Sequence, residues 1–305
     1  MTNLVGLFLL IGVGYGAVRL GLIPLSATKP LTDLLLKIAL PATIFSSMIR
    51  PFDPGFVRDA ATIIALSTAL YLGYAGISWG LARLFRVPDG RRGMWMMCAT
   101  FCNNGFMGFP VAYALFGEDG LALAVMLGVS FNVLLYSLGA KQASLDQPEG
   151  ARAPKLSWKS VAFSAVNASI LLGLVFYSLQ IPVHQALLTP IQYLSNITTP
   201  LSMLITGMSL ASGRLADLFR DRDAITCSCA RLLILPVLTW LVMLPLPIAN
   251  PLVVSVTLII MAMPSPAVAS AIAERYDGCR ELAARAVCLS SLLCIATLPL
   301  ISLLL

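Results

Sequence analysis

Apolar residues run along the chain in unbroken stretches of about twenty, separated by short segments rich in Gly, Pro and charge. Each stretch is long enough to cross the hydrocarbon core of a bilayer as a helix. The runs are continuous rather than alternating, which excludes a β-barrel. Ten spans are predicted, over residues 3–20, 31–49, 57–84, 93–116, 120–139, 160–180, 187–211, 224–245, 251–273 and 282–304. The turns between them include VPDGRR at 87–92 and SGRLADLFRDRD at 212–223. The longest hydrophilic connection, KQASLDQPEGARAPKLSWKS at 140–159, divides the chain into two halves of five spans, 1–139 and 160–305. The expected fold class is an all-α polytopic membrane protein.

Composition sharpens this reading. Of the 305 residues 58% are hydrophobic and 11% charged, against about 25% charged in a soluble domain. The net charge of +6 does not point to a nucleic-acid partner, because the basic residues are spread over short loops. Sixteen of the twenty lie in alternate connections: Arg19 and Lys29; Arg83, Arg86, Arg91 and Arg92; Lys141, Arg152, Lys155 and Lys159; Arg214, Arg220 and Arg222; Arg275, Arg280 and Arg285. The opposite side holds only Arg50 and Arg58. Basic loops stay cytoplasmic, so both termini are expected outside a cell (inner) membrane crossed many times. Residues 1–20 lack a basic leader and an A-x-A site, and read as a retained span. Lys37 and Arg231 fall inside spans, each about two turns from the cytoplasmic end. Snorkelling accounts for both. The alternative, a role near a substrate anion, stays open for Arg231 and for Lys37.

The two halves resemble each other weakly at an offset of about 159 residues. GLIP at 21–24 falls near LQIP at 179–182, and KIALPATIFSSM falls on NITTPLSMLITG, where Ile38 and Pro41 meet Ile197 and Pro200. NNGFMGFP at 103–110 falls near MAMPSPAVAS at 261–270. An odd number of spans per half inserts the second half upside down. Two inverted repeats, each with an interrupted helix at the same place, is a secondary-transporter architecture.

The fourth span carries FCNNGFMGFP at 101–110. Pro110 lacks an N–H and crowds the carbonyl four residues earlier, and Gly105 and Gly108 loosen the backbone. The helix is predicted to unwind near 103–110. In the ninth span Pro264 and Pro266 flank Ser265 and are predicted to do the same. Irregular backbone survives at membrane depth only where it is buried in protein or lines a wet cavity. If the two broken spans cross, half-helix ends meet there and offer N–H groups to a carboxylate. Asn103 and Asn104 add amides that do not titrate. Asn132, in the fifth span, is a further polar candidate, for substrate or for a helix–helix hydrogen bond.

NNGFMGFP resembles the fourth-span crossover of the auxin efflux carrier family, through Asn103, Asn104, Gly108 and Pro110. LPATIFSSM at 40–48 is similar to that family's second span, and AERYDGCRELAARAVCLSSLLCIATLPL at 273–300 to its ninth-to-tenth span signature. The short central loop is similar to the compact prokaryotic branch, which includes malate and malonate permeases. The resemblance implies a scaffold of spans 1, 2, 6 and 7, a homodimer formed through it, and a transport domain of spans 3–5 and 8–10 that moves like an elevator. It also implies that Asn103 contacts substrate.

The remaining chemistry is mostly excluded. Seven cysteines and one histidine, His184, do not form a metal-ligand pattern, so no metal or cofactor is expected. No acidic residue falls in the middle of a span, which argues against a buried proton relay. No hydrolase set lies within the spans, so no enzyme activity is expected. The expected function is a permease or efflux carrier moving a small organic anion, such as a dicarboxylate or auxin-like weak acid, by alternating access at the span 4/span 9 crossover. The alternative is a sodium-coupled symporter of a larger organic anion, related to the bile-acid symporters. The candidate substrate-binding residues are Asn103, Asn104, Gly105, Gly108, Pro110, Asn132, Pro264, Ser265 and Pro266.

Overall fold

A computed structural model of the chain describes residues 2–147, 164–213 and 215–304. Arg152, Lys155 and Lys159 of the predicted linker, and Arg214, lie outside the described residues. Regular structure is helical among the described residues. Five helical stretches are long and apolar enough to cross a membrane: Leu25–Met48, Pro54–Leu84, Arg92–Asp146, Arg222–Met243 and Arg280–Ser302. Shorter apolar helices cover Leu4–Arg19, Ala165–Leu179 and Pro251–Met261. Leu9, Leu72, Leu171, Leu187 and Leu300 point outward, each more than half exposed. Such a surface suits hydrocarbon rather than water. The chain is a multi-pass membrane protein.

The helices are α1 (Thr2–Arg19), α2 (Leu25–Met48), α3 (Pro54–Leu84) and α4 (Arg92–Thr100). The stretch Phe109–Leu134 is broken at Gly117, whose φ of 67° and ψ of −154° suit only glycine. Its two parts are α5 (109–116) and α6 (118–134). Then follow α7 (Ala165–Leu179), α8 (Gln185–Asn196), α9 (Thr198–Leu210), α10 (Arg222–Met243), α11 (Pro251–Met261), α12 (Ala269–Arg275) and α13 (Arg280–Ser302).

Two predicted stretches differ from what forms. The apolar run 187–211 is two helices, α8 and α9, parted at Ile197. Pro200 sits in the first turn of α9, where its missing N–H costs nothing. The helix predicted to stop at 139 continues to Ala143 and ends in a tight turn, Ser144–Asp146. There Asp146 accepts from the Gly93 and Met94 N–H groups at 2.6 and 2.9 Å, capping α4 from a distant part of the chain.

Three helical stretches accommodate a proline in the same way. Leu35–Ala39, Asn104–Gly108 and Ala230–Ile234 each form a widened five-residue turn. Each stands just before Leu40-Pro41, Phe109-Pro110 or Leu235-Pro236. A proline removes one helix hydrogen bond and crowds the carbonyl behind it, and the wider turn absorbs both. On α2 the spacing of Asp33 and Lys37 yields an exposed ion pair at 3.3 Å.

The chain divides into two compact units. The first comprises Met1–Ile63, Gly105–Val129 and Ser157–Ser212, and the second Ile64–Asn104, Ser130–Leu156 and Gly213–Leu305. In the first unit α1 lies along α9, and α2 lies along α7 and α8. The α1–α9 contact is backbone on backbone. A Cβ on Gly14 would strike the Leu204 carbonyl, and one on Gly207 would strike that of Ile11.

In the second unit α4, α10 and α13 pack together around Trp95, which is fully buried and donates its indole N–H to Thr226 Oγ1 at 3.1 Å. One end of this bundle is tied by charge. Asp221 caps α10 through Oδ1, accepting from the Asp223 and Ala224 N–H groups. Its Oδ2 accepts from Arg91 at 2.6 Å and Arg285 at 2.8 Å. Arg91 also reaches Asp223 at 3.0 Å.

Burial alone raises the Asp221 pKa, but the hydrogen bonds from Arg285 and Arg91 outweigh it and hold the carboxyl below its usual range. Such a group stabilises the fold above its unfolded pKa of about 4. That contribution fades as pH falls through the lower folded value. The melting temperature in detergent is therefore expected to drop as pH is taken below about 4. Asp221→Asn, already lacking the contribution, is expected to melt lower at neutral pH and to lose less on acidification. Equal acid sensitivity of the two proteins by scanning fluorimetry would place the loss elsewhere.

Candidate functional site

Two features collect the candidate residues, one in each unit. In the second unit α4 ends at Thr100 and residues 101–103 run without helical structure. The expected unwinding at 103–110 is thus corrected to 101–103. Gly105 and Gly108 lie in the widened turn Asn104–Gly108, and Pro110 lies in the first turn of α5. Proline near a helix start needs no partner for its nitrogen, so it marks where the helix resumes rather than where it stops. In the other interrupted segment α11 ends at Met261 and α12 begins at Ala269, with Pro264, Ser265 and Pro266 between. This interruption lies where the sequence predicts it.

Buried backbone released by two broken helices needs partners. The Asn103 N–H donates to the Pro264 carbonyl at 2.7 Å, joining the two interruptions directly. The Ser265 N–H donates to Ser290 Oγ at 3.0 Å, and the Ser265 hydroxyl donates to the Cys98 carbonyl at 2.9 Å. Arg231 closes the carbonyl ends. Its Nη1 donates to Ala99 O at 3.1 Å and Thr100 O at 3.0 Å, and its Nη2 donates to Met261 O. The snorkelling expectation for Arg231 is overturned. The side chain is 0% exposed and reaches inward to the last residues of α4 and α11. A guanidinium fork can serve several carbonyls at once, and helix C-termini attract positive charge. The Tyr74 ring lies 5.3 Å from the guanidinium carbon, and the Tyr74 hydroxyl donates to Leu235 O at 2.9 Å.

Aromatic rings wedge the α4 end of the crossover. Tyr71 stacks on Phe101 at 5.3 Å between centroids, and Phe131 meets Phe101 edge-on at 6.1 Å. The Thr100 hydroxyl bonds Ser78 at 3.0 Å and accepts from Gln142 Nε2 at 3.2 Å. Asn103 and Asn104 are 3% and 2% exposed. Among the described residues the side-chain oxygen of Asn104 has no hydrogen-bond partner.

Pro110 belongs to the other feature. In the first unit a cleft of about 330 Å³ is lined by Pro110 and Tyr113 of α5, Glu118, and a set of hydroxyl and amide side chains from α2, α8 and α9. Thr43 Oγ1 and Thr198 Oγ1 lie 2.7 Å apart, and Ser46 Oγ donates to Ser195 Oγ at 3.3 Å. A Cβ on Gly105 would come within 3.3 Å of Leu40. Single-helix reading missed the lining residues Thr43, Ser46, Ser195, Asn196, Thr198 and Thr199. Their signal was present in the repeat, since they flank Pro41 and Pro200, which the internal alignment superposes.

Asn132 joins neither feature. It is half-buried on α6, and among the described residues no hydrogen bond links it to either. The helix–helix bond considered for it is made two residues earlier. There the Ser130 hydroxyl donates to Ile64 O at 3.0 Å and bonds Thr68 at 2.8 Å.

A sequence model of a family described as "Membrane transport protein" matches residues 1–302. An uncharacterized transporter of Methanothermobacter thermautotrophicus is 29% identical over 300 residues, covering 98% of this chain and 96% of the relative. An uncharacterized transporter of Methanocaldococcus jannaschii is 28% identical over 214 residues, 67% of this chain and 66% of the relative. The yeast protein ECM3 is 24% identical over 147 residues, which cover 45% of this chain and 24% of ECM3.

Proposed function

Since the chain belongs to the membrane transport protein family, that of the auxin efflux carriers and within it the compact prokaryotic branch, we propose that this membrane transporter is a secondary carrier. Its substrate is a small organic anion such as a dicarboxylate or an auxin-like weak acid. The observation that carries the reading is the crossover itself. Two interrupted segments are bonded to each other through Asn103 and Pro264, beside the buried side chains of Asn103 and Asn104. Uncharged amides can hold a carboxylate at membrane depth without titrating.

In this reading the ten apolar runs are ten spans, arranged as two inverted repeats of five, 1–139 and 160–305, joined by the linker 140–159. The recurrence of interruptions at 101–103 and 262–268 supports the repeat. Spans 1, 2, 6 and 7 form a scaffold that also makes a homodimer, and spans 3–5 and 8–10 carry the substrate past it by an elevator motion. The distribution of Lys and Arg puts both termini outside the inner membrane and the basic loops in the cytoplasm. Neither an enzymatic step nor a cofactor belongs to the reading. The cleft rich in neutral oxygens around Thr43, Ser46 and Thr198 favours a second reading, coupling to sodium.

The test is uptake and efflux of labelled malate, malonate and indole-3-acetate in proteoliposomes, with sodium and proton gradients imposed separately. Flux of at least one acid without need of sodium is the expected result. Flux only under a sodium gradient favours the second reading, and no flux of any acid overturns the substrate class.

A further inference from the structure

Arg231 is a fully buried charge at the crossover. Among the described residues no acid forms an ion pair with it, and its contacts are three carbonyls and the face of Tyr74. A charge taken out of water this completely is costly unless its surroundings answer it. They answer it here with the C-terminal ends of two helices, α4 and α11. Each such end carries roughly half a negative charge. Two of them meeting at the interruptions amount to about one negative charge in a medium of low dielectric, where it acts over long distances. One guanidinium cancels it.

We propose that Arg231 is the positioning residue of the crossover. Its fork ties the last carbonyls of α4 and α11 together and so fixes the register in which Asn103 meets Pro264. Its charge cancels the two negative helix ends, so that an anion can occupy a place that would otherwise repel it. The second role rests on the proposed organic-anion transport, whereas the first does not. A guanidinium does both things at once. An ammonium supplies the charge but cannot span three carbonyls, and a neutral amide supplies neither the charge nor the reach.

The experiment uses the full-length protein with Arg231→Gln and Arg231→Lys, and two readouts. The first needs no transport. Cys98 and Cys102 flank the end of α4 and are fully buried, so they report loosening of the crossover by N-ethylmaleimide labelling mapped by mass spectrometry. Measured well below the melting transition of each protein, labelling is expected to quicken by about tenfold or more in Arg231→Gln and by less in Arg231→Lys. The second readout is transport of malonate or indole-3-acetate, whichever the wild type carries. Arg231→Gln is expected to raise KM by about tenfold or more. Arg231→Lys is expected to restore KM to within about threefold and to leave the maximal rate low.

A purely structural side chain would move both variants together. Equal KM in the two variants overturns the electrostatic role, and unchanged labelling in Arg231→Gln overturns the clamp. If the wild type carries no acid, the functional reading fails and labelling alone decides the clamp. If Arg231→Gln does not fold, Arg231→Lys decides. Faster labelling with near-normal KM supports the proposal, and wild-type labelling contradicts it.

Discussion

Asn103→Ala is expected to fold and to lose about ten- to a hundredfold of its transport efficiency, the loss that follows when one hydrogen bond to a charged group is removed. The bond that joins the two interruptions uses the Asn103 backbone N–H and the Pro264 carbonyl, and alanine keeps both. Only the amide side chain, with its N–H donors, is removed. The melting temperature should therefore stay within a few degrees of wild type while flux in proteoliposomes collapses. Flux and melting temperature falling together would mean that the side chain is structural.

Gly207→Leu is expected to be the most damaging single change in the first unit. A Cβ there meets the Ile11 carbonyl, and Gly14 faces Leu204 in the same way across the α1–α9 contact. Those neighbours are backbone and cannot swing aside. The helices must separate, at a cost of about 3 kcal/mol or more, above the usual range for an overpacked side chain. In a chain of this size that lowers the melting temperature by about 5 °C or more. Gly12→Leu is the control on α1. Nothing lies within 4 Å of a Cβ at Gly12, so the variant should melt within about 2 °C of wild type. Similar losses in both variants, measured by scanning fluorimetry in detergent, would remove the claim that close backbone packing holds this pair.

Hydropathy made the helical character of the chain legible, because lipid leaves a polar backbone little choice. It could not place the breaks to the residue. The run FCNNGFMGFP signals an interruption through Gly105, Gly108 and Pro110, yet the non-helical residues are 101–103. Proline is excluded from a helix interior but welcome near a helix start, so it stands downstream of the break. The break at Ile197 shows the same displacement from Pro200. Arg231 was misread for a different reason. Its depth along one span suggested a route to the membrane surface, but its partners, Ala99, Thr100 and Met261, come from two other segments. The lining of the cleft was hidden likewise, since Thr43, Ser46 and Thr198 are ordinary in their own helices and become a polar surface only when α2, α8 and α9 are brought together. The crossover itself was legible because it needed two interruptions, and a proline stands within or downstream of each.

The most direct test of the crossover as the substrate site is equilibrium binding, free of any question about rate or direction. The purified wild type and Asn103→Ala are melted with and without the acid that the wild type carries, at concentrations well above its dissociation constant. Ligand that binds only the folded state raises the melting temperature by mass action, by about 2.7 kcal/mol of added stability at a hundredfold excess. A clear upward shift in the wild type and one of about half that or less in Asn103→Ala is the predicted result. The same shift in both proteins would put the substrate somewhere other than the crossover.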